Sequence, residues 1–215
     1  MNHERAGLME GKEALKLYPK EVTLLNGETV TLRLMTPGDE VALLEFFQRL
    51  PEKDRLFLRE DVTDPEVLHK WCRDLDYNRT IPILAVKDGR IVADASLHLE
   101  VWGWSQHVGE IRLAVSRDFR RKGLGFLLTK ELFYLALSLK LEKVVGQTME
   151  NQVAVIQILK SIGFKKEAVL KDHVKDLKGN KHDLLIMSNS VKSIWKKMED
   201  LIRDSMGDQS GFYKI

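Results

Sequence analysis

Apolar positions recur along the chain with two different periods, and the switches between them mark the elements. Alternating runs over 22–25 and 28–35 flank Asn26-Gly27, a strong hairpin signal. Thr36 then offers a helix cap, Pro37 a first-turn residue, and Asp39 and Glu40 negative charge near the positive end of the helix. Val41, Leu44, Phe47 and Leu50 follow at helical spacing. Asp64-Pro65 repeats the start signal, and Val67, Leu68, Trp71 and Leu75 form a second helical face. The period then shortens to that of strands. Runs over 81–86 and 91–101 flank Asp88-Gly89, and a third strand covers 108–115. Leu124, Leu128, Leu132, Leu135 and Leu139 lie on one face of a long helix over 123–139. A strand over 144–149 and a helix over 151–161 come next, the helix ended by Gly163 as a left-handed cap. Two strands, 165–173 and 183–188, are joined across Lys178-Gly179-Asn180.

Strands and helices in this order predict one α/β domain, a mixed sheet with helices on both faces. The domain spans 21–190. Residues 1–20 read as a flexible arm, with a short helix through 14–18. A closing amphipathic helix covers 191–206, with Val191, Ile194, Trp195, Met198, Leu201 and Ile202 on one stripe, and 207–215 form a tail. That closing helix reads first as docked core. A homodimer contact or a cover over the acceptor side is the second reading.

Composition narrows the function classes. The chain has 215 residues, 44% of them hydrophobic and 31% charged, which fits a globular protein with a core. Its 34 basic and 32 acidic residues leave a formal charge of +2, so general affinity for nucleic acid or a membrane surface is not expected. No apolar run approaches the ~20 residues needed to span a bilayer. The charged first twenty residues lack the apolar core of a secretion signal. The single cysteine, Cys72, sits beside Trp71 in a helical pattern and reads as a core thiol. One cysteine cannot form an internal disulfide, so a reducing cytoplasm is expected, and the lack of a Cys/His cluster with zinc spacing predicts no metal site.

The most informative segment is GEIRLAVSRDFRRKGLGF, residues 109–126. A strand leads into a glycine-containing turn that opens onto the long helix. The first turn of a helix leaves backbone N–H groups without partners, and the dipole adds positive potential. Gly123 and Gly125 let an anion approach the backbone, and Arg120, Arg121 and Lys122 add charge there. The glycines fall three and five residues after Arg120, which fits neither the dinucleotide fingerprint nor the P-loop. A basic, solvated helix start is the plainer alternative. The strand before and the long helix after favour phosphate binding.

This segment resembles the signature of the GNAT superfamily of acyl-CoA-dependent N-acyltransferases, [RQ]-x-x-G-x-[GA] between a strand and a helix. Arg120, Gly123 and Gly125 fill it. The resemblance covers about 22–188 and implies a mixed, mostly antiparallel sheet. It implies that the turn from Arg120 through Leu124 and Gly125 to Phe126 holds the pyrophosphate of acetyl-CoA. It also implies that Leu113, Ala114 and Val115 pair edge-on with the pantetheine arm, with a backbone N–H near Leu113 as oxyanion donor. NQVAVIQILKSIGF, residues 151–164, is similar to a second family motif through Asn151, Ala154, Gly163 and Phe164. Asn151 is expected near the pantetheine arm, or as a helix cap, or both. The Asn-to-Gly spacing is one residue longer than the commonest form. Leu159 stands where many members carry a Tyr that protonates the departing thiolate, so the acid comes from elsewhere or the thiolate leaves unassisted.

Aminolysis of a thioester needs a neutral amine, while a lysine-type amine is protonated at pH 7. Glu110 occupies the strand position where several family members place a base, and an ion pair involving Arg112 is its plainer reading. The NGETVTLRLMTPGDE opening, the segment from Arg55 to Arg59 and the GEIRLAV strand further resemble bacterial protein lysine acetyltransferases. The acceptor expected on this basis is a protein lysine or a small-molecule amine, and a non-catalytic acyl-CoA sensor is the rival class. Asp94 and His98 share one face of their strand, and a solvated face is the expectation for both. Trp102 and Trp104 flank a turn and are expected to pack.

Overall fold

The computed structural model describes residues 13–56 and 58–196. The last stripe residues of the closing helix, Met198, Leu201 and Ile202, lie outside them, as do most of the arm and the whole tail. Eight strands form one sheet in the order β1-β2-β3-β4-β5-β6-β8-β7. They are β1 (Lys20–Thr23), β2 (Thr29–Leu34), β3 (Thr80–Lys87), β4 (Arg90–Leu99), β5 (Val108–Val115), β6 (Lys143–Met149), β7 (Lys165–Lys175) and β8 (Lys181–Ser190). Every neighbouring pair is antiparallel except β5 and β6, which run parallel.

The helices divide between the two faces, as the alternation of periods predicts. On one face lie α1 (Glu40–Arg49), the single turn α2 (Glu52–Arg55) and α3 (Pro65–Arg73). Leu43, Phe46, Phe47, Leu68 and Cys72 form the core there, and Phe47 meets Trp71 edge-on at 5.9 Å. On the other face lie α4 (Leu124–Ser138) and α5 (Val153–Ile162), over a larger cluster that includes Leu32, Ile83, Leu97, Leu128, Phe133 and Phe164. Residues 191–196 are helical and bury Val191, Ile194 and Trp195 in this second cluster. Within the arm, Ala14 is buried and Tyr18 donates a hydrogen bond to Glu131 of α4 at 2.8 Å.

Of the predicted first helical face, Phe47 and Leu50 are buried and Leu44 packs partly buried against the same cluster, while Val41 is exposed. Residues 37–39 form a 3-10 turn before α1 begins at Glu40. A stripe that steps by three residues drifts about 60° per step around an α-helix, so Val41 falls off the core face, and Leu43 and Phe46 join Phe47 and Leu50 on it. Asp64 caps α3 by accepting from the Glu66 N–H at 3.0 Å, and Gly163, at φ 117°, ends α5 in the left-handed region as expected.

Candidate active site

The sheet is continuous except at one place. β5 and β6 pair only through Val108–Glu110 and Lys143–Val145. Beyond Glu110 the two strands part, while β5 stays paired with β4 as far as Val115 and β6 stays paired with β8 as far as Met149. The outer edge of β5 from Ile111 to Val115 therefore faces a wedge-shaped gap rather than a neighbouring strand. An edge of this kind presents unpaired backbone donors and acceptors to any extended chain laid along it. Leu113 lines the gap with an exposed side chain.

The wide end of the gap meets the start of α4. Gly123 is its N-cap, at φ 85°, with no capping side chain and no acidic residue in the first turn. The first-turn N–H groups and the dipole are thus open to an anion. A side chain at Gly123 would sit in a strained backbone conformation, and its Cβ would lie 2.9 Å from Cγ of Leu25, in the β1–β2 turn. Gly125 has ordinary clearance: a Cβ there would meet Leu113 Cδ2 at 3.7 Å. The Ser116 hydroxyl, between β5 and this turn, is buried without a hydrogen-bond partner among the described residues.

The three basic residues of the turn differ. Arg120 donates to the Val115 carbonyl at 3.1 Å and to Asp54 of α2 at 2.8 Å. Lys122 holds both carboxylate oxygens of Glu28 at 3.0 Å. Arg121, at φ 60°, is exposed and makes no ion pair among the described residues. Leu124 is buried beneath the turn, and Phe126 packs against the same core cluster.

Glu110 marks the narrow end, where pairing stops. Its side chain shares a face with Arg112 and with Ser96 and His98, because the register sets His98 opposite Glu110 and Ser96 opposite Arg112. Glu110 Oε1 accepts from Arg112 Nε at 3.1 Å and from Arg59 Nη2, which descends from the segment between α2 and α3. Arg59 Nη2 also donates to Gln147 Oε1 of β6 at 2.9 Å, so it spans the gap. Burial lowers the pKa of the Arg59 guanidinium, the positive charge of Arg112 lowers it further, and Glu110 opposes both.

Asp94 and His98 do not lie on a solvated face. The α1–α3 layer covers this side of the sheet and leaves both partly buried. Burial pushes the Asp94 carboxyl up to about 7, with Arg112 pulling the other way. Burial pushes His98 down to about 3, and Arg112 and Arg59 add to the shift, so the ring is neutral. Ser96 Oγ lies 2.9 Å from His98 Nε2, and Thr80 Oγ1 lies 3.3 Å from Nδ1.

Other expected residues fall elsewhere. Asn151 lies within 3.3 Å of His182 on β8, and Gln152 rather than Asn151 precedes α5 as its cap residue. Leu159 is buried against Gly146. Trp102 and Trp104 are 80% and 95% exposed, because their loop projects beyond the ends of β4 and β5 rather than packing. Arg59, Arg112, Gln147 and Asp54 carry no local signal as a group: 51 residues separate Arg59 from Glu110. No cluster of metal-ligating side chains occurs among the described residues, and no helix among them is long and apolar enough to cross a membrane.

Comparison with known proteins bears on the family and the fold. The model of the acetyltransferase (GNAT) family matches residues 43–164. The fold is similar to the GNAT domain of S. lividans PAT, at 13% identity, covering 81% of this chain and 97% of that one, with a TM-score of 0.69. It is similar to Mycobacterium smegmatis RimJ in complex with CoA-disulfide, at 15% identity, 86% and 94% coverage and a TM-score of 0.70. A ribosomal-protein-alanine N-acetyltransferase from Brucella melitensis matches at 24% identity, 74% and 98% coverage and a TM-score of 0.63. At these identities the likeness is one of fold.

Proposed function

Because this chain belongs to the acetyltransferase (GNAT) family, we propose that it moves an acetyl group from acetyl-CoA to a primary amine, with Glu110 as general base. The observation that carries this reading is the parting of β5 from β6 at Glu110, with an uncapped helix start at the other end of the same gap. The two ends suit the two ends of one extended substrate. The pyrophosphate belongs at the N–H groups of Gly123, Leu124, Gly125 and Phe126, with Arg121 as the unpaired cation. The pantetheine arm belongs along Leu113, Ala114 and Val115. Asn151 contributes at the β6 end of the gap if it releases His182.

The chemistry balances with two protons to place. An ammonium acceptor first loses one proton to solvent through Glu110. The neutral nitrogen attacks the thioester carbonyl, a C–N bond forms, and the carbonyl electrons move onto oxygen, where a β5 backbone N–H near Leu113 donates to them. Collapse breaks the C–S bond, Glu110 takes the second nitrogen proton, and the thiolate leaves. Leu159 has no proton to give, so water protonates the thiolate. A thiol of ordinary pKa, about 8.5, is a good enough leaving group for that.

The acceptor class within this reading is a protein lysine or a small amine. The buried Leu159 favours a second reading, a non-catalytic acyl-CoA sensor. Incubation with labelled acetyl-CoA and a cell extract separates these. Label in proteins or in small amines supports transfer, and tight acetyl-CoA binding with label in neither supports the sensor.

A further inference from the structure

The side chains around Glu110 are unbalanced in charge. Two guanidiniums, Arg59 and Arg112, converge on one oxygen of one carboxylate. Neither is spent on another acidic side chain among the described residues; the second bond of Arg59 goes to the neutral amide of Gln147. His98, opposite Glu110, is neutral and holds only hydroxyls. Among the described residues Asp94 is the other acid on this face that acts on Arg112, and burial raises its carboxyl to about 7, which weakens its claim on that charge. The narrow end of the gap thus carries surplus positive charge at the point where the amine must arrive.

A bare ammonium, such as a lysine side chain brings on four methylenes, meets that surplus with nothing to offset it. An acceptor with a carboxylate on the carbon next to its amine matches it: the ammonium faces Glu110 and the carboxylate faces the guanidiniums. Arginine is suited to such planar, two-pronged recognition.

We infer that the acceptor is a small α-amino acid or close analogue, whose carboxylate is held by Arg59 and Arg112 while its amine faces Glu110. This rests on the reading of the gap as an acetyl-transfer site. Arg59 and Arg112 are then specificity residues. When the acceptor carboxylate takes over part of their hydrogen bonding, Glu110 is released toward the amine.

The test is acetyl-CoA turnover, followed by thiol release, with each of the twenty amino acids beside its own carboxamide and a capped lysine peptide. At least one free amino acid is expected to exceed its amide in kcat/KM by about tenfold or more, the worth of one or two charged hydrogen bonds. In Arg59→Gln and Arg112→Gln that ratio falls to within about twofold of unity, while the Kd for acetyl-CoA, read by calorimetry, stays at the parent value and certifies the fold. Amides that match their acids, or turnover of the peptide alone, overturn the inference while leaving acetyl transfer standing. If no amine turns over, the transfer reading fails separately. Calorimetric titration of the CoA-loaded protein with the same acids and amides then decides the carboxylate preference: tighter acids support it and equal binding overturns it.

Discussion

The two ends of the gap between β5 and β6 are built from different materials. The wide end is backbone: a left-handed glycine, an uncapped helix start and an unpaired strand edge. The narrow end is side chains drawn from β4, β5, β6 and the segment before α3, held by charge. Backbone recognition suits a ligand part common to many reactions, and side-chain recognition suits the part that differs between them. The proposed function assigns donor binding to one end and acceptor choice to the other, and substitutions at each end should separate them in kinetics.

The largest effect is expected at the narrow end. Glu110→Gln keeps an oxygen for Arg59 and Arg112 but cannot take a proton, so kcat should fall by about 10²–10⁴, measured at saturating acetyl-CoA. At the wide end, Gly123→Asp places a side chain at φ 85°, close to Leu25, and a negative charge at the helix start. The Kd for acetyl-CoA should rise by about 100-fold or more, measured by calorimetry. A parent-like Kd would remove the phosphate from this turn.

A smaller effect comes from Asp94. Its folded-state pKa, about 7, lies above the ordinary carboxylate value. The folded protein therefore keeps this proton more readily than the unfolded chain, and Asp94 lowers stability as pH rises from about 4 toward 7, with the full cost present above that. Asp94→Asn should raise Tm at pH 8 by about 2–6 °C and leave it nearly unchanged at pH 4. A gain equal at both pH values would show that packing rather than charge is responsible. The smallest expected effect is that of Glu28→Gln, which frees Lys122 beside the phosphate turn. Acetyl-CoA binding should tighten by no more than about fivefold, and the gain should vanish in 1 M salt.

The contrast between the ends also explains what was legible in the sequence. The wide end lies within one contiguous stretch, 109–126, so glycine spacing and strand-to-helix order reveal it. Most strands and helices were legible for the same local reason. Leu43 and Phe46 of α1 were not, because a stripe stepping by three from Val41 drifts around the helix and misses them. The narrow end was legible at Glu110 and in its ion pair with Arg112, two residues along the same strand. Arg59 was not, because it reaches Glu110 from 51 residues away. Asp94 and His98 looked solvated because nothing local reveals that α1 and α3 cover their face.

The most direct test of this division is steady-state kinetics on two variants with one amine acceptor, varying acetyl-CoA. The account predicts that Gly123→Asp raises KM for acetyl-CoA with kcat largely kept, and that Glu110→Gln lowers kcat with KM for acetyl-CoA largely kept. If Glu110→Gln turned over at the parent rate, or Gly123→Asp kept the parent KM, the assignment of chemistry to one end and donor binding to the other would be contradicted.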